Sequence, residues 1–519
     1  MVLIDWIILL GYLAGMILLS VFVGRGHKDI DDYYVSGRKL PWWAIAISTM
    51  ATQTSAVSFI SLPAFVAVKK GGGLTWLQYE LAVPLAIILV ISLLIPHFRK
   101  LRLISVYEYL ELRFNSAVKY LVSFVFLISR GLATGVGIYA VALVLSVCLN
   151  LPVWSTILII GAVTIIYDTI GGMTAVVYSD VIQTIILVVG IIISILFAID
   201  LTGGIDDILA LFPADRLNAI DLSLGLDGKS DMSFWAFLFG GIFIYTSYYG
   251  TDQSQVQREL SSRTVEETKK SLIFNGIVRF PLTLLYTAFG ISLFAVYYHT
   301  PELQQMVTSE NPDYLVPNFI LMLPAGVKGL LFASLLAAAM SSLDSALNSI
   351  SAVTMQDLIR PVFKLKANEV VLSRVVTLIW GSLITFFAFY VGQIADTVLE
   401  GINKIGSAFY GPVVAAFIIG MVFKKIQPKP VFIGILSGVL FNLGLWILLP
   451  QVSWVWWNFT GFIVTVCIAA ALSLNYVPEI VNRKHLFIPK WEKSFYYLTA
   501  YFILMLLILT AITLLSSRW

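Results

Sequence analysis

Ala337-Ala338-Ala339-Met340-Ser341-Ser342-Leu343-Asp344-Ser345-Ala346-Leu347-Asn348-Ser349 sets a row of hydroxyls and one carboxylate inside a segment otherwise apolar enough to cross a membrane. Hydrocarbon solvates neither group. Polar side chains at that depth therefore face a bundle interior or a wetted cavity, and ion or solute pathways are the usual reason they are kept. On a helix, Ala338, Ser341, Ser342 and Ser345 stand at i, i+3, i+4 and i+7 and share one face, a column of oxygens suited to a small hard cation. The competing reading is that the serines act as small residues that let helices pack closely.

The rest of the chain supplies the membrane. Of its 519 residues 59% are hydrophobic and 12% charged, with a mean hydropathy of +0.90, whereas a soluble domain carries roughly 25% charged residues. A span needs about 20 apolar residues. Such runs recur near 3–24, 42–69, 74–96, 117–149, 154–169, 176–201, 233–256, 272–298, 325–356, 371–393, 398–423, 430–449, 454–476 and 494–516. The expectation is one all-α membrane domain of about fourteen spans, with no stretch long enough for a separate soluble domain. The first run has no basic region before it and no small-residue cleavage site, and reads as a retained span. Cys148 and Cys467 lie in or beside apolar runs and the four histidines are scattered through joints, so neither a disulfide framework nor a metal cluster is expected.

Basic residues fall in alternate joints: Arg25, Lys28, Arg38 and Lys39; Arg99, Lys100, Arg102, Arg113 and Lys119; Arg258, Arg263, Lys269 and Lys270; Arg360, Lys364 and Lys366; Lys424, Lys425 and Lys429; Arg483, Lys484, Lys490 and Lys493. The positive-inside rule makes these joints cytoplasmic and puts both termini outside.

Two spans are interrupted near their middles, at Ala51-Thr52-Gln53-Thr54-Ser55-Ala56-Val57-Ser58 and at Tyr245-Thr246-Ser247-Tyr248-Tyr249-Gly250-Thr251-Asp252-Gln253. They open two sets of five spans of opposite direction. If both break, freed carbonyls and half-helix ends point at the midplane, as in transporters built from inverted repeats. Otherwise the hydroxyls only back-bond within ordinary helices.

Five motifs in register give the chain its resemblance. They are Asp32-Tyr33-Tyr34-Val35-Ser36-Gly37-Arg38 before Trp42-Trp43; Ser105-Val106-Tyr107-Glu108-Tyr109-Leu110-Glu111-Leu112-Arg113-Phe114; Gly171-Gly172-Met173-Thr174-Ala175-Val176-Val177-Tyr178-Ser179-Asp180-Val181-Ile182-Gln183; Thr251-Asp252-Gln253-Ser254-Gln255-Val256-Gln257-Arg258; and the serine-rich run itself. Over roughly residues 3 to 425 the chain resembles the sodium/solute symporter family of proline, galactose, sialic acid, iodide, monocarboxylate and multivitamin symporters. The resemblance implies a leucine-transporter-type fold with five-plus-five inverted repeats: a leading helix at 3–24, a first repeat at 42–201, an inverted second repeat at 233–423 and trailing helices at 430–516. It also implies a sodium site made by the carbonyls of Ala51 and Thr54 with Ala338, Ser341 and Ser342.

Asp180 matches a carboxylate that some members use for a second sodium ion, with hydroxyls at positions equal to Ser342 and Ser345. Position 344 departs from that pattern: the two-sodium sialic acid members carry Ser where this chain has Asp344. The coupling ion is therefore Na⁺, with one site expected and the second open.

In such a fold the solute sits beside the broken spans, which nominates Gln53, Ser55, Ser58, Glu80, Arg130, Tyr248, Tyr249 and Asn403. Gln53, Tyr248 and Asn403 fall where galactose symporters resemble them, and Tyr79-Glu80 matches a pair that binds a sugar hydroxyl there. Arg130 lies near the place where sialic acid symporters hold an Arg, whose fork of donors suits a carboxylate. An alternative role for Glu80 is to pair with Arg130 and neutralise it.

The expected function is alternating-access sodium symport of a small organic solute in the plasma (inner) membrane, a carboxylate-bearing solute such as a sugar acid or monocarboxylate ranking first and a neutral sugar second. The lipid bilayer, Na⁺ and the solute are the expected partners, with a monomer as working unit and no nucleic acid. Proton coupling through Asp180 or Asp344 is a further alternative. A channel is disfavoured because no filter loop repeats around an axis. A pump is disfavoured because Gly228-Lys229-Ser230 lacks the upstream glycine of a phosphate loop, and no catalytic constellation suggests an enzyme.

Overall fold

A computed structural model describes residues 1–24, 27–228, 232–363, 368–391, 398–423, 425–474 and 492–516. Among these residues the regular structure is helical. Eleven helices are long and apolar enough to span a membrane, and a twelfth span arises when the bent pair following Pro41 is joined. Helices occur at the expected positions in order: Val153–Thr202 holds two of the fourteen expected spans, and the broken helix at 233–256 is not among those that pass by length and apolarity.

The leading helix, Leu3–Val23, lies against the serine-rich helix, Val327–Val353. Its Asp5 carboxylate accepts from the backbone N–H groups of Gly326 (2.7 Å) and Gly329 (3.1 Å). The first turn of a helix has no internal partners for these donors, and an anion there also meets the positive end of the dipole.

The segment Val153–Thr202 runs for 50 residues, about 75 Å at ~1.5 Å per residue and far beyond a hydrocarbon layer of ~30 Å. It cannot be one rod. Gly172, at φ 53° and ψ −157°, turns it, a combination that residues with a Cβ avoid. A Cβ there would also stand 2.6 Å from the Tyr33 carbonyl oxygen. The two rods are the expected spans 154–169 and 176–201.

Both predicted breaks form. Trp42–Gln53 and Ala56–Ala67 are separated by Thr54, at φ −100° and ψ 74°, and by Ser55, and the halves diverge by 58°. The hydroxyl of Thr54 donates to the Met50 carbonyl (2.9 Å), while the Ser55 hydroxyl accepts from the Ser58 N–H (3.4 Å) and caps the outer half. In the second break, Gly241–Gly250 ends at Thr251, and Asp252 caps the short helix Gln253–Leu260 by accepting from the Ser254 N–H (2.8 Å).

Burial separates centre from rim. In the most apolar window of the serine-rich span 83% of residues are buried, against 17% for the last helix, 493–514. The residues least like lipid thus occupy the axis of the bundle, and the trailing helices present apolar side chains outward.

Candidate functional site

The hydroxyl face of the serine-rich helix meets the first break. Ser342 Oγ donates to the Thr52 carbonyl (3.5 Å), and Ser345 Oγ lies 3.0 Å from Thr52 Oγ1. Ser341 Oγ turns back to the Ala338 carbonyl (3.2 Å), and the Ala51 carbonyl accepts from the Thr54 N–H (2.9 Å). Ala51, Thr54, Ala338 and Ser341 are buried and Ser342 is half-buried. This neutral set of hydroxyls and carbonyls around an unwound turn fits an alkali cation. Thr52 and Ser342, 290 residues apart in sequence, are thereby brought into contact.

The second expected ion site is assembled differently. Asp180, Asp344 and Ser345 are all buried, but Arg258 stands among them. Its Nη2 lies 3.1 Å from Asp180 Oδ2 and donates to Ser345 Oγ, and its Nε donates to Ser48 Oγ (2.7 Å). Ser48 in turn donates to Asp180 Oδ2 at 2.5 Å. Asp344 points away, accepting from the hydroxyls of Tyr167 (2.6 Å), Ser179 (3.4 Å) and Ser345 (3.2 Å). A guanidinium thus already balances Asp180 in this conformation. Arg258 is also corrected from its place in the basic joint: its side chain is fully buried and contributes nothing to that surface.

The solute candidates divide into two groups. In the first, Glu80 pairs with Arg279 (2.6 Å), not with Arg130, which corrects the alternative pairing. Thr283 (3.2 Å) and Tyr245 (3.4 Å) complete its carboxylate. Arg279 also donates to Gln53 Oε1, which accepts from Tyr249 as well (3.0 Å), and its guanidinium stacks 5.2 Å over the Tyr245 ring. In the second group, Arg130 lies 3.6 Å from Asp252 Oδ2, at ion-pair range. Its Nε has no partner although the side chain is largely buried. Tyr248 neighbours it.

Arg130, Asp252, Ser247, Thr251 and Tyr410 line a cavity of about 40 Å³. That volume holds water and falls far short of the ~300–1,000 Å³ of a solute pocket. Ser55 and Ser58 sit at the cap of the outer half of the first broken span. The side chain of Asn403 lies outside the described residues.

Three participants escaped the sequence reading: Arg279, Asp252 and Arg258. Arg279 lies in the apolar stretch of Val265–His299 and is as costly there as Arg130, so the same intramembrane-charge rule identifies it. Arg258 and Asp252 belong to a quoted motif, but distance from the ends of a span does not reveal which way a side chain turns.

A profile of the sodium:solute symporter family matches residues 33–438. The chain belongs to this family. The human sodium/iodide cotransporter is 31% identical over 453 residues, covering 85% of this chain and 69% of that protein. The sodium/sialic acid symporter NanT of Aliivibrio fischeri is 29% identical over 454 residues, covering 84% and 86%. Among solved structures, the substrate-bound outward-open state of a Na⁺-coupled sialic acid symporter superposes with a TM-score of 0.82 at 26% identity, covering 92% of this chain and 99% of that one. A nucleobase-cation symporter, Mhp1, shares the fold alone, with a TM-score of 0.52 at 13% identity. This sodium/solute symporter therefore has the leucine-transporter-type architecture expected from its sequence.

Proposed function

We propose that this symporter carries a small carboxylate-bearing solute, a sugar acid or a monocarboxylate, together with Na⁺ into the cell across the plasma membrane, with both termini outside and the monomer as working unit. The observation that carries the solute class is Arg130. It is the arginine of the central cavity whose pairing is loosest, 3.6 Å from Asp252 with one buried donor unpartnered, and a bidentate carboxylate satisfies such a fork. The neutral-sugar reading is weaker, because both oxygens of Glu80 already accept hydrogen bonds.

Na⁺ is held between the carbonyls of Ala51 and Thr54 and the Ala338–Ser341–Ser342 face. An ion bridging these elements stabilises the form in which the first broken span is docked on the serine-rich helix, and its departure to the cytoplasm frees them to separate. The relatives include carriers of sialic acid, iodide and monocarboxylates, which supports an anionic solute.

Uptake of labelled pyruvate, sialic acid and galactose into proteoliposomes tests this reading, with Na⁺ replaced by K⁺ and, separately, with a pH gradient alone. Na⁺-dependent uptake of an acid, abolished in Arg130→Ala, is expected. Galactose uptake that survives in Arg130→Ala refutes the solute class, and equal uptake without Na⁺ refutes the coupling.

A further inference from the structure

The interior behind the sodium face holds more negative than positive charge. Asp168, Asp180 and Asp344 are all completely buried, and the cation hydrogen-bonded among them is Arg258. Four of its five N–H donors go to Asp180, Ser345, Ser48 and the Ser254 carbonyl. Three hydroxyls converge on the Asp344 carboxyl, those of Tyr167, Ser179 and Ser345.

Asp168 has no comparable support. Its Oδ1 faces only the Asn348 amide at 3.5 Å, and its Oδ2 has no partner at all. An unpaired carboxylate in a dry interior costs far more than a neutral carboxyl. Nor is a cation cradle present: the side-chain group facing Asp168 is an NH₂ donor, and the Asn348 carbonyl oxygen is already taken by Gln257 at 2.8 Å.

Asp168 stands four residues before Gly172, where the rod turns at the side of the basic joints. There Tyr33 and Tyr34 cover it, the Tyr33 hydroxyl donating to the Thr169 carbonyl (3.2 Å) and the Tyr34 hydroxyl bonding Ser351 (2.6 Å). The titratable and charged groups around this region are Tyr12 on the leading helix, His27, Tyr33 and Tyr34 in the first joint, Tyr167 and Asp180 on the folded rods, Arg258, Asp344, and Arg374 on the helix Glu369–Val391. Among the described residues no salt bridge joins any of the cations to Asp168.

We propose that Asp168 is a proton-binding site: its carboxyl is neutral in this conformation and gives its proton to water on the basic-joint side when the Tyr33–Tyr34 cover parts. The O–H bond breaks, the electron pair stays on the carboxylate, and water or buffer takes the proton. The inference is independent of the solute reading and of sodium coupling.

Infrared difference spectroscopy of the purified full chain tests it. Wild type minus Asp168→Asn at neutral pH is expected to show the loss of one protonated-carboxyl C=O band. A difference confined to carboxylate stretching bands overturns the proposal, as does conversion of the acid band to carboxylate on adding Na⁺. Thermal unfolding against pH supplies a second readout. A native neutral acid stabilises at low pH and is lost as pH rises, so wild type loses Tm on the alkaline side while Asp168→Asn has a flatter curve. Parallel curves overturn the proposal. Asp168→Ser serves the same comparison if the Asn variant does not fold.

Discussion

Replacing Ser342 with Ala separates a sodium ligand from a packing residue. Its hydroxyl makes one long bond, 3.5 Å to the Thr52 carbonyl, from a half-buried position. Removing it should cost well under ~1 kcal/mol of stability without Na⁺. In the proposed sodium site the same oxygen contacts a full charge, and losing a charged-group contact costs about 1.5–3 kcal/mol. At about 1.4 kcal/mol per decade this is a roughly 10- to 150-fold rise in the Na⁺ concentration for half-maximal uptake.

The assay pairs Na⁺ titration of uptake in proteoliposomes with thermal unfolding in detergent, with and without Na⁺. Ser342→Ala should keep its sodium-free Tm and lose most of the sodium-induced rise, since that rise follows the ratio of ion concentration to Kd. Ser334→Ala, on the same helix, is the contrast: its hydroxyl donates to the Ile186 carbonyl at 3.0 Å, so it should lose stability equally in both conditions and keep its sodium affinity. A wild-type half-saturation concentration in Ser342→Ala refutes the proposed coordination.

Glu80→Gln leaves the Arg279 guanidinium without its 2.6 Å partner. It should lower stability by about 3–5 kcal/mol, and Glu80→Gln with Arg279→Gln should recover part of that loss in thermal unfolding. Gly172→Ala places a Cβ 2.6 Å from the Tyr33 carbonyl at a backbone angle only glycine accepts comfortably. A loss of about 1–3 kcal/mol or more is expected, and an unchanged Tm would show that the two rods can turn without it. Asp5→Ala removes the acceptor for the Gly326 and Gly329 N–H groups. A cap of this kind is worth about 0.5–2 kcal/mol, measured as a fall in Tm that Asp5→Asn should largely restore.

Much of this transporter is legible along the chain because its causes are local. Spans follow from run length against the bilayer, and the hydroxyl face of residues 338–345 follows from helical period alone. The breaks at Thr54 and Thr251–Asp252 fall within the predicted polar stretches because backbone groups freed at those points are satisfied by nearby hydroxyls and carboxylates, Thr54 to Met50 and Asp252 to Ser254. Gly172 lay within a quoted motif, and its role as the turn between two rods follows from the length of the segment that contains it.

Charge pairing was decided only in three dimensions. Composition shows that Glu80, Arg130, Asp180, Arg258 and Arg279 are costly in lipid and must be compensated, but not by whom. Glu80 finds Arg279 from 199 residues away, Asp180 finds Arg258 from 78, and Arg130 lies beside Asp252. Coulomb attraction depends on separation in space, and in a bundle that separation is set by how helices far apart in sequence pack. The same packing buries Asp168 with one carboxyl oxygen unpartnered and no salt bridge among the described residues, an imbalance that no count of residues along the chain reveals.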